Sequence, residues 1–415
     1  MGIAMVEREG ALAALDELLD AATLGQGRAL VVVGEAGLGK TALLEHALSL
    51  AGDRFVAGVG RADVAEAALP FGLLHQALEP LLGPDMMDAR TGEGPASLQA
   101  GHLHAVLRRL REQAVQPMLI ALDDAHWADP DSLVLLRLIC RRIATLPVAL
   151  LVTARPWPPD LLRAAEELAV EGLADLERLT PLSPATATDL VLERLAGSVS
   201  TSEVDRAVAA CAGNPLLLEH VIAGLQTGQD LLLDDRTTSA GAWAHRLLVS
   251  PFAGVGEEAR RYLRAASVLG SRFRPEVAAE VAGLGVSQAA MVQEALSEAG
   301  LLADGGDGLS RFGHDLVRHA IHEETAPMRA RLHEAAFRAL LARHASPGEV
   351  AEHAAAARLV GDRDALAALA RAGHDALRGG APGTARRHLQ AAIELGRDQV
   401  GAEVLVDLSQ ARRAT

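Results

Sequence analysis

From Ala29 to Val33 the chain is continuously apolar and rich in β-branched residues, then breaks into glycines. From Lys40 onward apolar residues return at helical spacing, at Leu43, Leu44, Ala47 and Leu48. That order predicts a strand, a tight loop and a helix. Arg54 to Val59 reads as a second short strand, and after the break at Pro70-Phe71-Gly72 a helix covers Leu73 to Leu82. Gly83 to Gly101, rich in Gly, Pro and Asp, reads as a loop. A helix from Leu103 to Ala114 leads into Pro117 to Leu122, an unbroken apolar run suited to a strand covered on both faces of a parallel sheet. The run stops at Asp123-Asp124. Asp131 to Ile143 is expected to be helical, Val148 to Thr153 a further buried strand, and Leu173 to Leu179 the last strand of this region. Strands alternating with helices predict an α/β core with a doubly wound parallel sheet.

Beyond Leu182 the strand signals fade. Helices are expected over Pro184 to Ala196, Ser202 to Ala212, Pro215 to Leu225 and Glu257 to Leu269. Residues 270 to 325 combine helices with a Gly-rich turn, Ala303-Asp304-Gly305-Gly306-Asp307-Gly308, that suits the wing of a small winged-helix-like domain. From Met328 onward, Ala-rich helices joined by short turns such as Gly379-Gly380 suggest stacked helix pairs, without a clean repeat period. The expected division is a sheet domain over 1–182, an all-α lid over 183–250, a winged-helix-like domain over 251–327 and a helical, TPR-like repeat segment over 328–415.

Size fits that division, since 415 residues correspond to about two to four domains. Half of the residues are apolar, 22% are charged and only 2% are aromatic, a profile of Ala- and Leu-rich helices packed on aliphatic side chains. The net charge of −15 disfavours DNA as a direct partner, because phosphate contacts need a basic surface that releases counterions. Basic stretches such as Arg108-Arg109-Leu110-Arg111 are interleaved with acids and read as solvated helix faces. Cys140 and Cys211 lack CxxC spacing and read as buried structural thiols. The N-terminus lacks the charge-then-apolar pattern of a leader, and no run of about eighteen apolar residues occurs, so no membrane partner and a reducing cytoplasm are expected.

The chemistry-bearing segment is Gly34-Glu35-Ala36-Gly37-Leu38-Gly39-Lys40-Thr41. In this spacing the glycines let backbone N–H groups face phosphate oxygens, the following helix adds its positive end, Lys40 reaches the β- and γ-phosphates and Thr41 ligates magnesium. Lys40 is the only lysine in the chain. A compact ammonium fits between phosphates where a planar guanidinium does not, so the single exception to arginine falls where the chemistry requires it. Asp123, at the end of an apolar strand, is expected to hold the metal, and Asp124 to face an attacking water. Arg155 ends another strand at the edge where α/β sheets bind ligands, and is a candidate γ-phosphate sensor or a surface arginine at a strand end. His314, His319 and His322 cluster in sequence, but HExxH spacing is absent. The Asn-Lys-x-Asp signature of guanine readers cannot exist without a second lysine, which favours ATP/ADP as the nucleotide.

Taken together these motifs resemble the ATPase region of STAND-class signalling ATPases, and most closely the large ATP-binding regulators of the LuxR type. The resemblance runs from Val6-Glu7-Arg8-Glu9-Gly10-Ala11-Leu12 through the phosphate loop, Leu69-Pro70-Phe71-Gly72-Leu73 and Asp123-Asp124-Ala125-His126-Trp127-Ala128-Asp129. It continues with Thr153-Ala154-Arg155, Gly213-Asn214-Pro215-Leu216 and Phe312-Gly313-His314-Asp315-Leu316-Val317. It implies that Arg8 lies near the adenine, that Arg155 reads the γ-phosphate, that Pro215 contacts the nucleotide and that His314 touches the β-phosphate of ADP. Glu7 stands where the family has glycine, and Gly313 replaces the residue usual before the histidine. The function implied is a slow, Mg2+-dependent ATPase switch in transcriptional regulation, with protein partners or self-association through the C-terminal helices. A metabolic kinase using the same cradle, and a DNA-binding regulator acting through the winged region, are the alternatives.

Overall fold

The computed structural model describes residues 2–63, 69–84, 86, 95–157, 159–195, 200–226, 256–313, 315–396 and 399–414. A short 3-10 turn at Ile3–Met5 precedes helix α1 (Glu9–Thr23), strand β1 (Arg28–Val33), helix α2 (Lys40–Ala51) and strand β2 (Val56–Arg61). Helices α3 (Gly72–Leu82) and α4 (Pro95–Gln113) lead to strand β3 (Met118–Asp123), helix α5 (Pro130–Cys140), strand β4 (Val148–Ala154), helix α6 (Pro159–Val170) and strand β5 (Asp175–Arg178). The five strands form one parallel sheet in the order β2-β3-β4-β1-β5. Strand side chains alternate between faces. Leu30, Val32, Leu119, Ala121, Ala149 and Leu151 pack under α1 and α2, whereas Val31, Val33, Ile120, Leu122, Leu150 and Val152 face α3 to α6.

The segment read as loop, Gly83 to Gly101, already contains the start of α4 at Pro95. Its early turns carry few apolar residues and lean instead on distant parts of the chain: Gln99 donates to Asp131 at 3.3 Å, and Leu98 and His102 lie against Gly380. Local periodicity does not contain such tertiary support.

Next come α7 (Pro184–Leu195), α8 (Thr201–Cys211), α9 (Pro215–Gln226), α10 (Glu257–Leu269), β6 (Arg272–Phe273), α11 (Pro275–Val281) and α12 (Val286–Glu298). The Gly-rich turn expected as a wing is a hairpin of β7 (Leu302–Gly306) and β8 (Leu309–Phe312), completed by β6 in an antiparallel sheet of order β6-β8-β7. Helices α13 (Asp315–Glu324), α14 (Arg329–Ala342), α15 (Pro347–Ala356), α16 (Arg363–Arg378), α17 (Pro382–Gly396) and α18 (Ala402–Ala414) complete the chain. The last three turn back onto the sheet. Leu369, Leu377, Leu389 and Leu408 share one apolar core with α3, α4 and α5. Asp131, itself 1% exposed, accepts from the amides of Gly383 (3.0 Å) and Thr384 (2.8 Å) and so caps α17 from the N-terminus of α5. The inner face of the C-terminal helices is therefore used within the chain.

Between α14 and α15, His333 and His353 are buried with their Nδ1 atoms 2.9 Å apart. One ring must donate and the other accept, so the accepting ring is neutral. Burial, reinforced by Arg329, holds His333 at about 4, and burial, reinforced by His333, holds His353 at about 3. Unfolded, each would titrate near ~6.5. Because the folded values are depressed, stability is complete above about pH 6.5 and falls as pH drops toward the folded values, by up to about 1.4 kcal/mol per pH unit for each ring that titrates. Thermal melts from pH 7 to pH 5 should show this decline, and a His333→Phe/His353→Leu double variant should flatten it. An unchanged slope in that variant would rule the pair out as its source.

Candidate functional site

The segment 34–41 links β1 to α2. Gly37 and Gly39 have φ of +82° and +95°, and a Cβ at Gly39 would meet the carbonyl oxygen of Ala4 at 2.8 Å, so glycine is required there on two counts. Leu38 is buried and pins the loop. The Lys40 side chain is 6% exposed, and its Nζ donates to the carbonyls of Gly34 (2.9 Å) and Glu35 (3.0 Å). Burial lowers the Lys40 pKa; Asp124 opposes that shift. The loop thus holds a desolvated ammonium at the positive end of α2, an arrangement that suits a polyanion.

Asp123 is 3% exposed at the end of β3. Its Oδ2 accepts from Thr41 Oγ1 at 3.1 Å and its Oδ1 from Thr153 Oγ1 at 2.5 Å. The strand order explains the triad, since β4, carrying Thr153, runs between β1 and β3. Thr153 Oγ1 also accepts from the amide of Asp124 at 3.0 Å, which fixes the turn in which Asp124 has φ of +53°. The Asp124 carboxyl is pushed up by burial and by Asp123, while Lys40, Arg155 and Arg318 pull it back.

His126 is buried, 3.7 Å from Asp124 Oδ1, and its Nδ1 accepts from the amide of Arg155 at 3.4 Å. Burial, followed by Arg155 and Lys40, drives its pKa down to about 2. The ring is therefore neutral, its proton on Nε2, and its closeness to Asp124 is not an ion pair. Asp129, pushed up to about 6 by burial, caps α5 by accepting from the amides of Asp131 (3.1 Å) and Ser132 (3.0 Å). Arg155 is partly buried and its pKa lowered by burial, with Asp124 opposing. A bare surface arginine does not fit that setting.

The N-terminal and lid segments meet the same loop. Arg8, 3% exposed, donates to the carbonyl of Leu38 at 3.2 Å. Asn214 Nδ2 donates to the Ala36 carbonyl at 2.8 Å, and the Leu216 amide to that of Gly37 at 3.4 Å. Asn214 Oδ1 caps α9 by accepting from Leu216 and Leu217, with Pro215 buried as the first helical residue. Glu7 has φ of +56°, which accounts for glycine being the usual residue there. Its carboxylate accepts from Ser183 N (2.8 Å), Ser183 Oγ (2.7 Å) and Thr186 Oγ1, bonds that lower its pKa and cap α7.

From the winged side, Arg318 of α13 is 4% exposed and lies in the field of Asp63 and Asp124. Asp63, past the end of β2, accepts from Ser271 N (2.9 Å), Ser271 Oγ (2.9 Å) and Arg272 N (3.1 Å). His314 lies outside the described residues.

The structure thus brings Arg8, Gly34 to Thr41, Asp123, Asp124, Arg155 and Pro215 into one region. It adds Glu7, Asp63, Thr153, Asn214 and Arg318, none of them a candidate from sequence. Thr153 and Asn214 sat inside recognised motifs. Glu7 stood out only as a departure from a family glycine, and Asp63 and Arg318 act on partners so far along the chain that no local signal marks them. Cys140 and Cys211 are buried, with pKa values pushed up to about 12, and offer no nucleophile.

Residues 4–152 match the family model of the AAA ATPase domain. An uncharacterized protein of Rhizobium meliloti (strain 1021) is 27% identical over 454 aligned positions, covering 95% of this chain and 43% of the relative. The crystal structure of a Signal Transduction ATPase with Numerous Domains (STAND) protein with a tetratricopeptide repeat sensor from Pyrococcus horikoshii aligns with a TM-score of 0.50 and 16% identity. That alignment covers 96% of this chain and 62% of that one. Cdc6p from Pyrobaculum aerophilum aligns with a TM-score of 0.39 and 17% identity, over 77% of this chain and 95% of its own. The chain carries an AAA ATPase domain and shares the fold of the STAND protein, while spanning less than two thirds of the length of that protein and of the curated relative.

Proposed function

We propose that this chain is an ATP-binding signalling switch of the STAND type, hydrolysing ATP slowly with Mg2+ and coupling the ADP or ATP state to domain rearrangement in transcriptional regulation of the LuxR kind. The observation that carries this reading is the convergence on one phosphate loop. Arg8 and Asn214 donate to its backbone carbonyls from the N-terminal segment and the lid, and Asp124 feels the charges of both Lys40 and the winged-side Arg318. A change in phosphate number at such a loop alters contacts in every part that touches it, and a ligand shifts a conformational equilibrium only through such differential contacts.

In this reading the divisions are the sheet domain over 1–182, the lid over 183–250, the winged unit over 251–327 and the helical repeat over 328–415. The amides of 34–41 and Lys40 hold the phosphates, Arg155 favours the triphosphate state, His314 and Pro215 favour the diphosphate state, and Arg8 lies near the adenine. The fit for a magnesium ion rests on hard oxygen donors, Thr41 Oγ1 and the buried Asp123 carboxylate 3.1 Å from it. Bound there, the ion would neutralise charge on the β- and γ-phosphates. Asp124 positions water for the attack, with its raised pKa making it a better proton acceptor than an exposed carboxylate. Protein partners or a second copy meet the C-terminal helices, where Leu405 and Val406 of α18 are exposed. No described helix is long and apolar enough to cross a membrane, and the cytoplasm is the proposed compartment.

The test is Asp124→Asn. Phosphate release under single-turnover conditions should fall by about a hundredfold or more, within the range general-base removal produces, while ATP affinity stays near that of the parent. Parent-like hydrolysis would remove Asp124 from the mechanism.

A further inference from the structure

Arg61 ends β2 opposite Asp123, with which it pairs in register across the parallel sheet. Its backbone amide donates to Gln76 Oε1 at 3.0 Å, which fixes the chain at that point. The guanidinium reaches back into the site. Its Nε lies 3.8 Å from Asp123 Oδ2, too far for a hydrogen bond and close enough for an ion pair. That oxygen is also the one that accepts from Thr41 Oγ1, whereas Oδ1 is taken by Thr153. The two oxygens of Asp123 therefore have separate duties, and the one beside the threonine hydroxyl already faces a cation of the chain's own.

The other edge of the guanidinium faces α2. Its Nη2 lies 3.7 Å from Oε1 of Glu45, one turn beyond Thr41. The Asp123 side chain is only 4% exposed, but those of Arg61 and Glu45 are 47% and 64% exposed. Exposed side chains change rotamer on the picosecond to nanosecond scale, so a pivot about the stem carries this charge from Asp123 to Glu45 at little cost. Two cations at one carboxylate oxygen repel, most strongly where the carboxylate is shielded from water. We propose that Arg61 competes with the metal for Asp123 Oδ2. The guanidinium balances the carboxylate until a metal and polyphosphate together displace it onto Glu45, so the cation enters with the nucleotide and not ahead of it. Magnesium is held by few carboxylates together with substrate phosphates, and those phosphates supply the negative charge that tips the exchange. Arg61 acts through Asp123 and is a positioning residue. This inference rests on the reading of Thr41 and Asp123 as metal ligands.

Binding of Mn2+, a magnesium surrogate whose free form is read by electron paramagnetic resonance, tests this on the full chain with and without ADP. Arg61→Met keeps the stem and removes the charge. It should raise Mn2+ affinity without nucleotide by about tenfold or more, with a smaller gain when ADP is present. Arg61→Lys keeps a charge and should stay within about threefold of the parent. Glu45→Gln, which removes the receiving carboxylate, should weaken Mn2+ binding to the ADP complex by about threefold. Unchanged or weaker Mn2+ binding in Arg61→Met, or an equal gain in Arg61→Lys, overturns the proposal. Asp123→Asn separates the two levels of the argument. Parental Mn2+ binding to its ADP complex would remove the metal assignment and this proposal with it, whereas a loss there beside no gain in Arg61→Met would sink the proposal alone.

Discussion

Replacing Lys40 with alanine should weaken ATP binding by about a hundredfold or more, equivalent to about 2.7 kcal/mol. Hydrogen bonds to charged groups are worth about 1.5–3 kcal/mol each, and the ammonium is placed to make more than one to a polyphosphate. The folded protein should lose little stability, because Lys40 is held at a desolvation cost that its lowered pKa records. Lys40→Arg should not rescue binding. With its Nζ within 3.0 Å of two loop carbonyls, the site has the dimensions of a point charge rather than a planar fork. A fluorescent-nucleotide titration beside thermal melts separates the two effects, and an alanine variant with parental affinity would undo the assignment of the loop.

Asp63→Ala should produce the largest loss of docking between the sheet domain and the winged unit. Asp63 is 7% exposed and receives three hydrogen bonds from Ser271 and Arg272, more than two hundred positions away in the chain. Leaving a buried donor without its acceptor costs about 1–3 kcal/mol, and here three donors lose the same carboxylate. The turn has no slack: Gly270 has φ of +130°, and a Cβ there would come within 2.8 Å of Asp63 Oδ2. Gly270→Ala should therefore loosen the same contact. Hydrogen exchange at the amides of 271 and 272 reads the effect, and unchanged protection in Asp63→Ala would show that the aspartate does not hold the two together.

Much of this could be read in the sequence where the signal is local. The strand runs 29–33, 117–122 and 148–153 are apolar because parallel strands are covered on both faces; the first and last lie within observed strands, and the middle one starts one residue ahead of β3 at Pro117, which has no amide to give to a ladder. The phosphate loop announced itself because close backbone approach admits only glycine at 39, and the Asp123-Asp124 pair because a strand end turns there. The start of α4 was hidden, since Gln99 and His102 find their support on Asp131 and on the turn at Gly380. Glu7 looked like a departure from a family glycine. Only the structure shows its carboxylate on Ser183 and Thr186, about 180 positions later. Arg318 was equally silent, because its value lies in the acids that other elements bring to it.

The cap that Asp131 places on α17 has a practical consequence for dissecting the molecule. The region matched by the ATPase family model ends at Val152, inside β4 and one residue short of the threonine that holds Asp123. A fragment cut there would lose the hydroxyl that orients Asp123, the proposed metal ligand. It would also leave the apolar outer surface of α3 to α5 uncovered where the C-terminal helices now sit, a bare patch that favours aggregation in water. A well-behaved minimal ATPase from this protein would have to retain the far end of the chain or carry polar replacements at the positions now facing Leu369, Leu377 and Leu389.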